Sequence, residues 1–513
     1  MRSIRSHWLV GISAAWLALA VLAPAPLMAT KHPHYGGVLR VQLRASNVSL
    51  DPREWKPGSL AAADGERLAG LVYDRLVTLD EYGRFQAALA TDWTHDSSLR
   101  SWQFRIRSGV KFSDGSPLAA KDVAVALQAL LPMGLTASNG ENSVTVRAQR
   151  AIPDLLEQLS SGRFFVFRVQ SGGVLLGTGP FVLAESQAAP SADGAAAKAT
   201  RMRFRASLEC WEGRPFLDGI DVTLGDPALR QVLNLQAGRA DVVDIPPDLV
   251  RKARQENLRV WSSQPDTLLA LRFDEAQSST VDTRVREALD LALDRETMAN
   301  VLLQRQAAPA TALLPQWLSG YAFLFSAPMN LQRAKELRGG LAANIAGGSE
   351  PLRLRVDAVG DLMKLLGERV AVNARQANLS IQLVPHGSTA GTSTTPAIGL
   401  HLFAWHYDTV SPRAELQALA QYFRSEKVVD LASESNDPEK LFGDEQQMLE
   451  TRRVLPLVLL PEYVGVASNV RNWSVGPCGE WRLADVWLDT EESAAGVAGE
   501  RAGEGNAARG VHP

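Results

Sequence analysis

At 513 residues, with 46% hydrophobic and 21% charged side chains, the chain has the composition of a soluble globular protein long enough for two or three compact units. A net charge of −3 without any basic block gives no basis for a nucleic-acid partner, and no basic amphipathic helix points to a membrane surface. Two cysteines are too few for a disulfide framework or a four-sulfur zinc site.

The first thirty residues stand apart. Arg2 and Arg5 precede an apolar run from Trp8 to Leu22, then Pro24, Pro26 and a Leu27-Met28-Ala29 exit, the layout of a cleavable secretory signal peptide over 1–29. The run is too short, and too soon broken by proline, for a comfortable membrane span. No cysteine lies near the cut, so a lipoprotein is not expected. Leu27 is a poor residue three places before the cut, which leaves Ala25 as an alternative site and a retained anchor as the competing reading. Cleavage removes two arginines and takes the charge from −3 to about −5. In an oxidising compartment Cys210 and Cys478 are free either to pair or to stay as thiols.

From Tyr35 onward strands and helices intermix. VLRVQL alternates as a strand and leads to a polar loop ending in Ser49-Leu50-Asp51-Pro52. Leu68, Leu71, Val72, Leu76 and Leu79 fall mostly at helical spacing, followed by LATDW and by SWQFRIRSGVKF, whose Trp102, Phe104 and Ile106 alternate as in a half-buried strand. In GVKFSDGSPLAAKDV (Gly109 to Val123) an Asp114-Gly115 turn and Pro117 introduce a helix through Val123, Leu127 and Leu130, with Lys111 and Lys121 expected in solvent. Ser143 to Val146 reads as a strand, Ile152 to Leu159 as a helix with Asp154 near its start, and Gly177 to Leu183 as turn then strand. Ser186 to Thr200 has the composition of a mobile hairpin tip. MRFRAS and IDVTL alternate as strands, and Ala228 to Gly238 is a helix ending where a left-handed cap would sit.

A second unit is expected to begin near Thr267. Val285, Leu289, Ala292 and Leu293 form one helix face, and Asp294 is placed to cap a helix from Arg295 to Leu303. LRLRV and LSIQLV flank a helix from Asp361 to Gln376, a β-α-β pattern. The loop GSTAGTSTTP precedes a buried strand IGLHLFAW, then HYDTVSP; Leu455 to Leu460 is a further strand, and 490–513 reads as a disordered tail.

Seven blocks in order carry a resemblance: YGGVLRVQL with SLDP, LVYDRLVTLDEYGRFQAALATDW, SWQFRIRSGVKFSDGSPLAAKDV, LGTGPFVL, CWEGRPFLDGIDV, LQAGRADVVDIPP and VDTRVREALDLALDRETM. Together they resemble the family 5 extracellular solute-binding proteins, the receptors of oligopeptide, dipeptide and nickel importers. The match runs from about Tyr35 to Leu314 and more weakly to Trp473. The resemblance implies an α/β, two-lobed periplasmic binding protein fold with an extra subdomain and a ligand cleft between lobes that close by hinge motion. Mapped onto this chain, lobe 1 covers 35–264 with an inserted subdomain at about 60–175, lobe 2 covers 265–463, and 464–489 returns to lobe 1. It also implies a periplasmic monomer that captures peptides or related amine-bearing solutes for an ABC permease in the inner membrane. The segment from Leu131 to Thr178 is shorter than in typical members. Ala119 stands where the family usually has a capping Thr, at a cost of ~1 kcal/mol, and Asp122 three residues on can still bond back to a free N–H.

The same resemblance marks Trp405-His406-Tyr407-Asp408 as the ligand site. In peptide-binding relatives an Asp three residues after such a Trp pairs with the peptide's ammonium, which can also sit on the Trp face. The alternative is a solvated turn beside a core Trp. Relatives often carry a second Asp before the Pro, where this chain has Ser411. Ser46 and Asn47, at the end of the opening strand, are candidates on the first lobe, or an ordinary polar loop. Thr178 and Gly179 are expected at a hinge crossing, a tight turn rather than a phosphate cradle. Under this topology both cysteines lie in lobe 1 and are candidates to pair. Cleavage after Ala29 would expose Thr30-Lys31-His32, an end that can wrap Cu(II) or Ni(II), with His34 near it and His406 in the proposed cleft. A nickel-chelate or haem-like ligand is therefore the alternative reading. No resident cofactor or metal is implied, and no GxSxG, Cys-His pattern or HExxH supports an enzyme; a periplasmic hydrolase is the remote alternative.

Overall fold

The computed structural model describes residues 32–80, 82–189, 198–274, 281–340, 351–357, 361–384, 399–423 and 436–489. The expected signal peptide, the loop 387–396 and the tail 490–513 lie outside the described residues. The strand Val38–Leu43 alternates as its sequence predicts, with Leu39, Val41 and Leu43 buried. It lies parallel to Gly219–Leu224 on one side and to Val242–Asp244 on the other. Through these neighbours it joins an eleven-stranded mixed sheet.

Two long antiparallel strands carry that sheet from one lobe to the other: Arg259–Phe273, with 15 residues, and Val454–Val466, with 13. Val454–Val466 is longer than the expected 455–460, and the expected boundary near Thr267 falls inside a continuous strand. At one end Val464 to Val466 pair with Val242–Asp244; at the other, Thr267 to Phe273 pair with Leu400–His406. Between these ends the register shifts, and Pro265 faces Pro461. Neither proline has an N–H to give the ladder, so the ribbon is weakest where it crosses between lobes.

The first core gathers Leu39, Val41, Phe104, Val123, Phe181 and Ile220 with Val464, Trp481 and Val486 from the far end of the chain. It also covers a four-stranded sheet (Ala90–His95, Ser101–Ile106, Ser143–Ala148, Leu135–Asn139) packed with the helix Ala120–Leu130. The second lobe has two cores on opposite faces of its strands, one with Leu354, Leu366 and Leu402, the other with Phe403, Trp405 and Leu419. The β-α-β unit is present as read: Leu352–Val356 and Ile381–Val384 are parallel strands around the helix Asp361–Gln376.

Several expectations are corrected. The helix falls at Leu60–Ala69, not over Leu68 to Leu79, and Val77–Leu79 is a strand. Leu68, Leu71, Val72 and Leu76 are all buried, so the spacing of apolar residues there reflects enclosure on every side rather than one helix face. The GTGP segment is not at a crossing. Gly177 and Gly179 press on the Val72 backbone with no room for a Cβ, and Thr178 Oγ1 donates to Asp74 at 2.7 Å. Lys111, by contrast, lies in solvent as expected and pairs there with Glu209 at 2.9 Å. Regular strand extends through Ala189 and resumes at Lys198, inside the expected hairpin tip. Cys210 and Cys478 are both free thiols.

Candidate functional site

Alternation along Leu400–His406 sends Phe403 and Trp405 into one core of the second lobe and Leu400 and Leu402 into the other. Trp405 is buried, and its indole Nε1 donates to Glu415 Oε2 at 3.0 Å. Gly58 of the first lobe lies so close that a Cβ there would sit 2.2 Å from the indole, while the Gly58 carbonyl accepts from the His406 amide at 2.9 Å. The ring face expected to receive a ligand cation is thus covered by Gly58. Tyr407 turns back into the same core and donates its hydroxyl to the Leu313 carbonyl. Its side chain faces the second lobe, not the cleft.

Asp408 is 5% exposed, and its Oδ2 lies 3.7 Å from Arg163 Nε. The turn that presents it is organised by Glu415, on the helix Pro412–Tyr422. Glu415 Oε1 accepts from the amides of Asp408 at 2.9 Å and Thr409 at 3.0 Å, while Oε2 holds Trp405. One buried carboxylate therefore fixes three groups of the 405–409 turn. Burial and the neighbouring Asp408 push Glu415 well above the usual carboxylate range, against the pull of these N–H donors.

The absent acid at Ser411 is made good from the other lobe. Ser411 Oγ caps its helix by accepting from the Ala414 amide at 3.0 Å and donates to Asp154, a fully buried carboxylate. Arg413 Nε donates to the same carboxylate at 3.1 Å, and Thr409 Oγ1 reaches the Glu157 carbonyl at 3.2 Å. Together with Arg163 and Asp408, these bonds latch the start of the second-lobe helix to the 154–163 segment.

Beside the latch is a cavity of about 10 Å³, room for about one water. Its walls include Glu66, Ser160, Ser161, His406 and Cys478. Of the expected site residues, only His406 lines it; Trp405, Tyr407 and Asp408 stand behind or beside the wall. Burial holds His406 below the usual imidazole range, so the ring is neutral at neutral pH. Ser46 and Asn47 are exposed at the end of the opening strand and, among the described residues, make no hydrogen bond to the 405–409 turn. No group of three or more His, Cys, Asp or Glu among the described residues is arranged to hold a metal. Residues 1–31, including Thr30-Lys31, lie outside the description.

The family described as bacterial extracellular solute-binding proteins, family 5, matches residues 84–422. The chain belongs to this family. It is 23% identical over 368 residues to the nickel-binding protein NikA of Staphylococcus aureus, covering 68% of this chain and 70% of that one. A dipeptide-binding protein of Pseudomonas aeruginosa is 21% identical over 534 residues, covering 90% and 96%. The fold is that of the periplasmic binding protein DppA from Helicobacter pylori, solved with the peptide STSA: TM-score 0.72 at 17% identity, over 89% of this chain and 99% of that one. As a family 5 protein the chain is a solute-binding protein of mixed α/β, two-lobed fold. No helix among the described residues is long and apolar enough to cross a membrane.

Sequence reasoning missed Glu66, Asp154, Arg163 and Glu415. Glu415 left one trace, an acidic residue in the first turn after Ser411-Pro412. The others gain their place only from contacts between segments remote in sequence.

Proposed function

We propose that the protein captures short peptides or related amine-bearing solutes in the periplasm, exported there by residues 1–29, and delivers them to an ABC permease in the inner membrane. One observation carries the reading: a surplus of buried carboxylates where the lobes meet. Glu66, Asp154, Asp408 and Glu415 are 7%, 0%, 5% and 1% exposed. Arg413 pairs with Asp154 and Arg163 with Asp408, while Glu66 and Glu415 have no cationic partner of their own. Acidic groups kept from water without a cation of their own become carboxylates most readily beside a cationic ligand, so the arrangement favours one. Dipeptide-binding and nickel-binding relatives fit a receptor of this kind. Isothermal titration with Ala-Ala-Ala is expected to show binding that N-acetylation abolishes and that Asp408→Asn weakens about tenfold. Equal affinity for the free and acetylated peptides would refute the amine reading.

One observation favours a nickel chelate instead. The neutral imidazole of His406 on the cavity wall is a donor for a metal that arrives already chelated. Metal analysis of the purified protein distinguishes the two: stoichiometric nickel, lost in His406→Ala, would replace the peptide reading.

A further inference from the structure

We propose that Glu66 and Ser161 seat the primary ammonium of the solute on the first-lobe wall, across from Asp408, and that the ammonium enters in exchange for a proton. The proposal rests on the amine-bearing reading above and gives it residues and a stoichiometry. Glu66 projects from the helix Leu60–Ala69, is 7% exposed and lines the cavity. Its carboxyl group enters none of the hydrogen bonds or ion pairs among the described residues. Ser161, 4% exposed on the same wall, has an Oγ without a hydrogen-bond partner. A carboxyl group and a hydroxyl, both buried and both unused, are costly unless something fills the space they face. Between them, Gly162 makes the arrangement possible, since a Cβ there would fall 2.6 Å from Glu66 Oε2.

The size and the surroundings select the occupant. A cavity of about 10 Å³ takes a group the size of one water. An –NH3 head is close to that size and brings three donors. The neighbouring charges already have partners. Arg67 is held by Asp64 at 2.8 Å and Glu462 at 2.7 Å. Arg75 lies over the Phe165 ring at 4.7 Å and 3.9 Å from Glu480, with its Nε lacking a hydrogen-bond partner, and Arg163 is committed to Asp408. Of the described residues that line the cavity, Glu66 is the one that offers a cation an unused carboxyl.

The proton follows from the same surroundings. Burial first, then Asp408 and more weakly Glu415, push Glu66 well above the usual carboxylate range, while Arg163 and Arg75 pull it down. His406 on the facing strand is neutral, the Cys478 thiol is pushed up by burial and stays protonated, and Glu480 lies toward Arg75. Glu66 therefore waits as the neutral acid. An ammonium placed against it favours the carboxylate, so the carboxyl proton leaves to solvent as the ammonium arrives. The charge of the site is unchanged across the exchange.

The test is titration of the full protein with Ala-Ala-Ala at about pH 6 in two buffers of different ionisation enthalpy, which counts protons released per peptide bound. Wild type is expected to release about one proton and Glu66→Gln none, with affinity for the free peptide ~10–100-fold weaker in the variant. Ser161→Ala is expected to weaken binding ~10-fold and leave the proton count intact, which keeps the idea testable if Glu66→Gln does not fold. No proton release by wild type, or equal release by Glu66→Gln, overturns the role of Glu66 and leaves the amine reading standing. Equal affinity for Ala-Ala-Ala and its N-acetyl form overturns the amine reading itself, and no binding of either peptide overturns both.

Discussion

Gly58 shows how much one absent atom can decide. Its φ of +70° is a conformation that other residues adopt only at a cost of ~1–2 kcal/mol, and its Cα faces the Trp405 indole with no space for a methyl. Gly58→Ala is therefore expected to hold the lobes apart: affinity for Ala-Ala-Ala should fall more than ~10-fold, while the melting temperature drops by only a few degrees. Titration beside a thermal melt checks this, and unchanged affinity would mean that the Gly58–Trp405 contact is incidental to binding. The nearness of Asp408 to Trp405 was legible because it is local in the sequence. Glu66 was not, because nothing near it in the chain announces that it will meet residues 160–163 and 406 across a cleft.

Helices and strands were legible where one face is buried and the other is wet. The helix Asp361–Gln376 and its two flanking strands keep their periods and stand where the sequence put them. The period fails where an element is enclosed on all sides, as over Leu68 to Leu76, and the helix Leu60–Ala69 escaped because its alanine-rich start offers little contrast. The helix Ala120–Leu130 shows half of a cap: the Asp122 carboxylate accepts from the Ala119 amide at 2.9 Å, but Ala119 has no oxygen to offer in return. Supplying one completes the pair of bonds. Ala119→Thr is expected to raise stability by ~1 kcal/mol in urea unfolding, with solute affinity unchanged. No gain would mean that the Asp122 bond alone already satisfies the helix start. Arg168 also holds Asp122, at 2.7 Å, and stacks over Phe112 at 4.0 Å, so the block that looked densest in the sequence is a well-braced piece of scaffold.

Across the whole molecule the buried acids set a pH dependence. Burial, reinforced by Asp244, pushes Asp64 up to about 6; burial, reinforced by Asp266 and Asp244, pushes Glu462 up to about 8; burial pushes Glu445 up to about 7. The unfolded chain releases such protons near pH 4, so between about pH 4 and 8 the native state binds more of them. Stability must then fall as pH rises through that window. The melting temperature is expected to be several degrees lower at about pH 8.5 than at about pH 5.5, and a flat or rising profile would refute the assignment. The strand Val454–Val466 has a different consequence, one of timing. The first core needs Val464 and Val466, the second needs Leu455 and Leu457, and the segment beyond returns Trp481 and Val486 to pack beside Leu39. Neither lobe can finish folding until nearly the whole chain is available, and contacts of such sequence separation form slowly. A chain that emerges from its N-terminus therefore stays open until its last strands are available, so the arrangement that joins the lobes also delays their closure in the newly made protein.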